Sequence, residues 1–185
     1  MISPRDLRFL VTGGTGFFGC ALLRHWLRQF SKGATVPSVT VLTRSPQMFL
    51  DRYLEFQDQP WLRFCTGDVL DLKTLHKGQN FTHVLHAAAD STLGPRIAPL
   101  QRYDQIVDGT RNVMNLAVAA GASRFLFIST GGVYGPQPLG MERIPEDYHW
   151  MPDPLNPANA YSVAKRAAEH LCALYQDKHE LEIVV

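Results

Sequence analysis

Short apolar runs alternate along this chain with segments whose apolar residues recur at helical spacing. Arg8–Thr12 reads Arg-Phe-Leu-Val-Thr and ends at a glycine cluster, which predicts a first strand. Cys20, Ala21, Leu22 and Leu23, followed by Trp26, Leu27 and Phe30, predict an amphipathic helix that stops near Gly33. Apolar runs at 39–42, 62–65, 83–87 and 124–128 predict four further strands, and 181–185 a sixth. Long helices are expected over 100–120, stopped by Gly121, and over 158–179. Residues 136–157 are rich in proline and read as a loop long enough to expect a function for it.

Near-continuous apolar strands separated by helices indicate a parallel sheet covered on both faces. The expected fold is therefore α/β, a doubly wound parallel sheet, with residues 1–185 forming a single domain. The chain stops inside an apolar strand, and a sheet ending so leaves an unpaired edge. The expectation is a chain truncated in its sixth strand.

Composition narrows the function classes. Apolar residues make up 45% and charged residues 19%, with a net charge of +1. That is ordinary globular composition with no electrostatic case for nucleic acid or an anionic membrane as partner. No apolar run reaches spanning length. Cys20, Cys65 and Cys172 are scattered, without metal-ligand or redox spacing, so they read as small core residues of a cytoplasmic protein, and no metal is expected.

Chemistry enters at the glycine cluster. Gly13, Gly16 and Gly19 are spaced G-x-x-G-x-x-G between a predicted strand and a predicted helix. The first glycine suits a tight turn, the second a backbone close to a pyrophosphate, and the third close helix packing. Backbone amides at the mouth of a helix favour such an anion. This arrangement predicts a Rossmann-type domain that binds NAD or NADP. An acidic residue at the end of the second strand would bond the ribose 2′-hydroxyl of NAD, but Thr43 and Arg44 stand there. A guanidinium can pair with a 2′-phosphate, so NADP is favoured over NAD. Asp68, in Gly67-Asp68-Val69, can accept from adenine or cap a helix opened by Asp71 and Leu72.

Tyr161 and Lys165 stand four residues apart on one predicted helix face. A tyrosine hydroxyl is a poor base, and an ammonium beside it favours the phenolate. Such a pair can take a proton from an alcohol while a hydride leaves for a cofactor. Ser129 and Thr130 follow the fifth strand, at the end where ligands bind in open α/β sheets, and a hydroxyl there can bond a substrate oxygen.

Taken in chain order, these pieces resemble the extended short-chain dehydrogenase/reductases of the nucleotide-sugar epimerase/dehydratase group. The matching segments are Thr12 to Gly19, Gly67-Asp68-Val69, His86-Ala87-Ala88-Ala89, Gly109-Thr110-Arg111-Asn112-Val113, Ser129 to Gly135, and Tyr161 to Lys165 with Glu169. The resemblance implies that Gly13, Gly16, Gly19 and the backbone near Phe17 and Phe18 hold the pyrophosphate. Asp68 and Val69 would meet adenine, and Ala87, Ala88 and Ala89 would line the cofactor path. Lys165 would bond the nicotinamide ribose, Tyr161 would be the base, and Thr130 its hydroxyl partner. Ser129, Val133 and Tyr134 would border the substrate.

Three departures from the family pattern stand out. Ile106 occupies the place of an asparagine used as a proton relay. Gly131 and Gly132 replace the Asp-Glu pair of the dehydratases, which counts against water elimination. Family members also continue into a carboxyl-terminal substrate domain. The leading expectation is an NAD(P)-dependent nucleotide-sugar epimerase. The alternatives are an NADPH-dependent ketoreductase of a keto-sugar or other carbonyl, and a non-catalytic dinucleotide-binding scaffold. Family analogy adds a homodimer through the two long helices.

Overall fold

The computed structural model describes residues 4–71, 80–89 and 97–185. Six strands form one parallel sheet: β1 (Arg8–Thr12), β2 (Ser38–Thr43), β3 (Leu62–Thr66), β4 (His83–His86), β5 (Arg124–Phe127) and β6 (Glu182–Val184). Their spatial order is β3-β2-β1-β4-β5-β6, so the winding reverses between β1 and β4. That is the doubly wound topology expected from the sequence, in which ligands gather at the carboxyl ends of the strands on either side of the reversal. Strands β4, β5 and β6 are one or two residues shorter than their apolar runs, because pairing stops where the chain turns into loops.

Among the described residues, four α-helices cover the sheet: α1 (Phe17–Ser31), α2 (Pro46–Arg52), α3 (Pro99–Ala119) and α4 (Ala160–Lys178). Adjacent strand residues point to opposite faces, and the two cores show it. Leu10 joins Val84, Phe125 and Phe127 with Val113 and Met114 of α3 and Ala164 and Ala168 of α4. Val11 joins Val39, Val41 and Leu85 with Leu23 and Trp26 of α1, Phe49 of α2, and Trp61. Gly33 and Gly121 take positive φ, 80° and 69°, just past α1 and α3, which is how a glycine ends a helix.

Helix α2 is absent from the sequence reading. Its seven residues are too few for a periodic signal, although Pro46 directly follows Ser45, a recognisable helix-start pair. Helix α4 begins two residues later than expected, after a 3-10 turn over Pro157–Asn159. Residues 136–156 contain no helix or strand. The helix expected to open at Asp71 and Leu72 lies, from Leu72 onward, outside the described residues. Among the described residues, no helix is long and apolar enough to cross a membrane.

Candidate functional site

The turn between β1 and α1 is shaped by its glycines. Gly13 has φ +71°, and a Cβ there would lie 2.5 Å from the backbone of Ala87, just beyond β4. A Cβ on Gly19 would run into the backbone of Gly14, so α1 can start this close to the turn only with glycine at that position. The turn closes with Gly16 N–H donating to Gly13 O at 3.0 Å, and the helix opens with Cys20 N–H donating to Gly16 O at 2.8 Å. The first-turn amides, those of Phe17 and Phe18 among them, have no acceptor within the helix. No side-chain cap and no acidic residue competes for them, and both phenylalanine side chains are exposed. These donors and the helix dipole suit an anionic pyrophosphate.

A cleft of about 630 Å³ opens over this turn. It collects Gly13, Gly16 and Phe17, then Arg44, Asp68 and Val69 from the ends of β2 and β3, and Ala87, Ala88 and Ala89 beyond β4. Nine of the expected cofactor-binding residues thus share one space. Gly19 sits behind it, buried against the turn, and Lys165 and Phe18 are not on its walls. Asp68 Oδ1 accepts from Leu70 N–H at 2.9 Å, so the carboxylate pins its own turn. Asn112 of α3 holds the same loop by donating to Val69 O at 3.0 Å.

The sequence reading missed part of this wall. Arg24 of α1 and Arg52 of α2 line the cleft with Arg44, and both guanidinium groups approach the Tyr53 ring, at 5.0 and 5.3 Å from its centroid. Arg24 also pairs with Glu55 at 3.4 Å. Phe17, Cys20, Ala21 and Arg24 recur at helical spacing on the cleft side of α1, a stripe that the sequence does carry.

A second neighbourhood forms where β5 meets α4. Thr130 begins a 3-10 turn over Gly131–Tyr134, its Oγ1 accepting from Gly132 N–H at 3.3 Å. That turn lies on the first turn of α4, since a Cβ on Gly132 would stand 2.6 Å from Ser162 Oγ. Tyr161 is the second residue of α4 and is partly buried against the core. Lys165, one turn on, is 2% exposed; its Nζ donates to Ile128 O at 2.6 Å and lies 4.4 Å from the Phe127 ring centroid. Burial pushes its pKa down to about 8. Ser129 Oγ donates to Glu169 Oε1 at 2.5 Å, Tyr134 donates to Glu146 at 3.0 Å, and Val133 is buried. Ser129 and Tyr134 thus each have a protein partner, and Val133 turns its side chain away from solvent. Ile106, standing where an asparagine relay would, is a core residue.

Behind both neighbourhoods runs a buried polar string that the sequence did not reveal. His86 Nδ1 meets Thr12 Oγ1 at 2.6 Å and Nε2 meets Thr110 Oγ1 at 3.1 Å. Complete burial, and then the charge of Lys165, lower the His86 pKa to about 3, so the imidazole is neutral. Neutral imidazole has one donor and one acceptor nitrogen, which two hydroxyls can satisfy. Among the described residues, no group of three potential metal ligands occurs.

Known proteins are similar to this chain over most of its length. The family model described as the NAD dependent epimerase/dehydratase family matches residues 9–185. The low-salt glycan biosynthesis protein Agl12 of Haloferax volcanii is 31% identical over 178 residues, 95% of this chain and 54% of that protein. A UDP-glucose 4-epimerase of Streptomyces lividans is 26% identical, with 89% and 46% covered. The crystal structure of a dTDP-glucose 4,6-dehydratase from Bacillus anthracis in complex with NAD superposes with a TM-score of 0.74 at 22% identity. It covers 96% of this chain and 53% of that one. The chain spans about half the length of the curated relatives it matches.

Proposed function

This chain belongs to the NAD dependent epimerase/dehydratase family, and we propose that it binds NADP in the cleft above Gly13 and Gly16 and serves a nucleotide-sugar epimerase. The observation that carries this reading is the glycine turn itself. Its first-turn amides open, without a competing acidic residue or side-chain cap, onto a cleft walled by Asp68, Val69 and the alanines after β4. The preference for NADP rests on the other end of that cleft, where Arg44, Arg24 and Arg52 stand and a ribose 2′-phosphate would find guanidinium groups.

Bound there, the nicotinamide supplies the acceptor and donor of a hydride. The chain's own residues do the rest. Tyr161 would take the proton of a sugar hydroxyl, and Lys165 would steady the phenolate and bond the nicotinamide ribose of a bound cofactor. Thr130 steadies the oxygen as its charge changes. Ser129, Val133 and Tyr134 border the sugar, with Val133 contributing backbone. In a homodimer, α3 and α4 would form the contact. Gly131 and Gly132 put no carboxyl group after Thr130, which favours epimerisation over water elimination. The arginines at the ribose end keep a second reading in play, an NADPH-consuming ketoreductase of a keto-sugar.

A fluorescence titration with NADPH and NADH tests the cofactor reading, with tighter binding of NADPH expected. Clearly tighter NADH binding would reject it. Turnover of a nucleotide sugar without net consumption of cofactor separates the epimerase from the reductase. Tyr161→Phe should remove most turnover and leave cofactor affinity nearly intact; undiminished turnover would reject Tyr161 as the base.

A further inference from the structure

Among the described residues, Arg102, in the first turn of α3, has no counter-charge in an ion pair. Its Nε and Nη2 are buried and lack a hydrogen-bond partner, and its Cζ lies 5.9 Å from the centroid of the Tyr161 ring. An aromatic face attracts a guanidinium but offers no lone pair in the plane of its N–H groups. The carboxylates in reach of other cations are committed elsewhere. Glu169 takes Ser129 and Arg166, Glu55 takes Arg24, and Glu182 takes Arg124. The first turn of α3 has no acidic residue, and Ala98 at its cap has no side-chain acceptor. Two desolvated, unmet donors on a part-buried guanidinium are costly, and a folded protein keeps them where a ligand supplies the acceptor.

The place of Arg102 says which ligand. One turn further along α3, on the same face, Gln105 lines the cofactor cleft. On its other side is the ring assigned above as the base. Arg102 therefore lies between the cofactor cleft and the position of the reacting sugar, where a planar fork suits a two-oxygen anion. We propose that Arg102 is the anion-binding residue of the substrate site, taking an oxyanion of the nucleotide sugar, carboxylate or phosphate, beside Tyr161. This rests on the nucleotide-sugar reading and adds that the substrate is held by a charged group near the reacting carbon.

The test is direct binding to the NADPH-loaded full chain, wild type and Arg102→Met, with UDP-glucose and UDP-glucuronate as probes. Loss of the guanidinium should weaken binding about 10- to 100-fold, the range for a charge-assisted pair. A loss confined to UDP-glucuronate identifies a sugar carboxylate as the anion; an equal loss for both identifies the diphosphate. As a measurement that needs no methionine variant to fold, the Arg102 Nε–H resonance, assigned by its disappearance in Arg102→Lys, should move when UDP-glucuronate is added to wild type. A stationary resonance, or equal affinities of wild type and a folded Arg102→Met for both probes, overturns the proposal. If wild type binds NADPH but neither probe, the nucleotide-sugar reading falls and this one with it.

Discussion

Lys165 Nζ donates to the carbonyl oxygen of Ile128 across 2.6 Å, tying the second turn of α4 to the residue after β5. The bond fixes the ammonium in the core, over the Phe127 ring, rather than letting it follow solvent. A buried lysine held for chemistry is a stability liability, and burial brings its pKa down to about 8. From about pH 8 to pH 10.5 the unfolded chain keeps a proton that the folded chain has released, so this group makes stability rise with pH through that window. Urea unfolding of wild type and Lys165→Met at pH 7.5 and pH 10 checks it. The stability difference should move toward wild type at the higher pH, by up to roughly 3 kcal/mol. A constant difference would show that the lysine is not desolvated.

His86 gives the acid side. Its pKa is lowered from 6.5 to about 3, so between those values the unfolded chain gains a proton that the folded chain refuses. Its contribution is complete above pH 6.5 and is lost progressively as the pH falls toward 3, at about 1.4 kcal/mol per unit. Unfolding free energies of wild type and His86→Gln at pH 6.5, 5.5 and 4.5 isolate the effect, because glutamine keeps a donor and an acceptor but does not titrate. Wild type should fall more steeply than the variant. Parallel slopes would mean that His86 is protonated in the fold.

Local pattern and long-range placement divide what could be read in advance. Arg8–Thr12 and the glycine turn after it carry their own signals, in apolar run, spacing and position, and yield Gly13 and Gly16; Arg44 follows from the end of the second strand, Asp68 from the turn after the third, and Phe17, Val69 and Ala87 to Ala89 from the family resemblance. The polar string is different. Thr12 and His86 sit 74 residues apart and look like ordinary strand residues until the parallel register sets them opposite each other. Val133 likewise looks like a site residue in a Val-Tyr-Gly run, and only the course of the 3-10 turn shows its side chain to be buried. Arg102 reads as one more helix charge; its meaning comes from packing on Tyr161, which sequence periodicity does not encode.

Gly13→Ala should be among the most damaging single methyl additions in the chain. The residue takes φ +71°, and the new Cβ would meet Ala87 backbone at 2.5 Å, a neighbour that cannot rotate away. Strain of a non-glycine residue at such φ costs about 1–3 kcal/mol before the clash is counted. The expected result is a loss of at least about 2 kcal/mol in urea unfolding, with NADPH binding abolished. Gly16→Ala separates the two effects, since its Cβ would meet only Gly13 O at 3.2 Å. It should fold nearly as well as wild type and bind more weakly. Equal stability of Gly13→Ala and wild type would contradict this geometry.

Arg44→Asp tests the ribose end by reversing its charge. Arg44 is exposed on the cleft rim directly after β2, so the substitution disturbs no core packing. A carboxylate at this place can accept from the 2′-hydroxyl of NAD and repels the 2′-phosphate of NADP. NADPH affinity should therefore fall by about 10- to 100-fold, the scale of a charge-assisted pair turned into a repulsion, while NADH affinity holds or improves. Arg24 and Arg52 remain on the same wall, so some NADPH binding should persist and should weaken steeply with salt. Adding Arg52→Ala should remove part of that remainder without touching NADH. If Arg44→Asp weakens both nucleotides equally, Arg44 is holding the loop rather than choosing the cofactor.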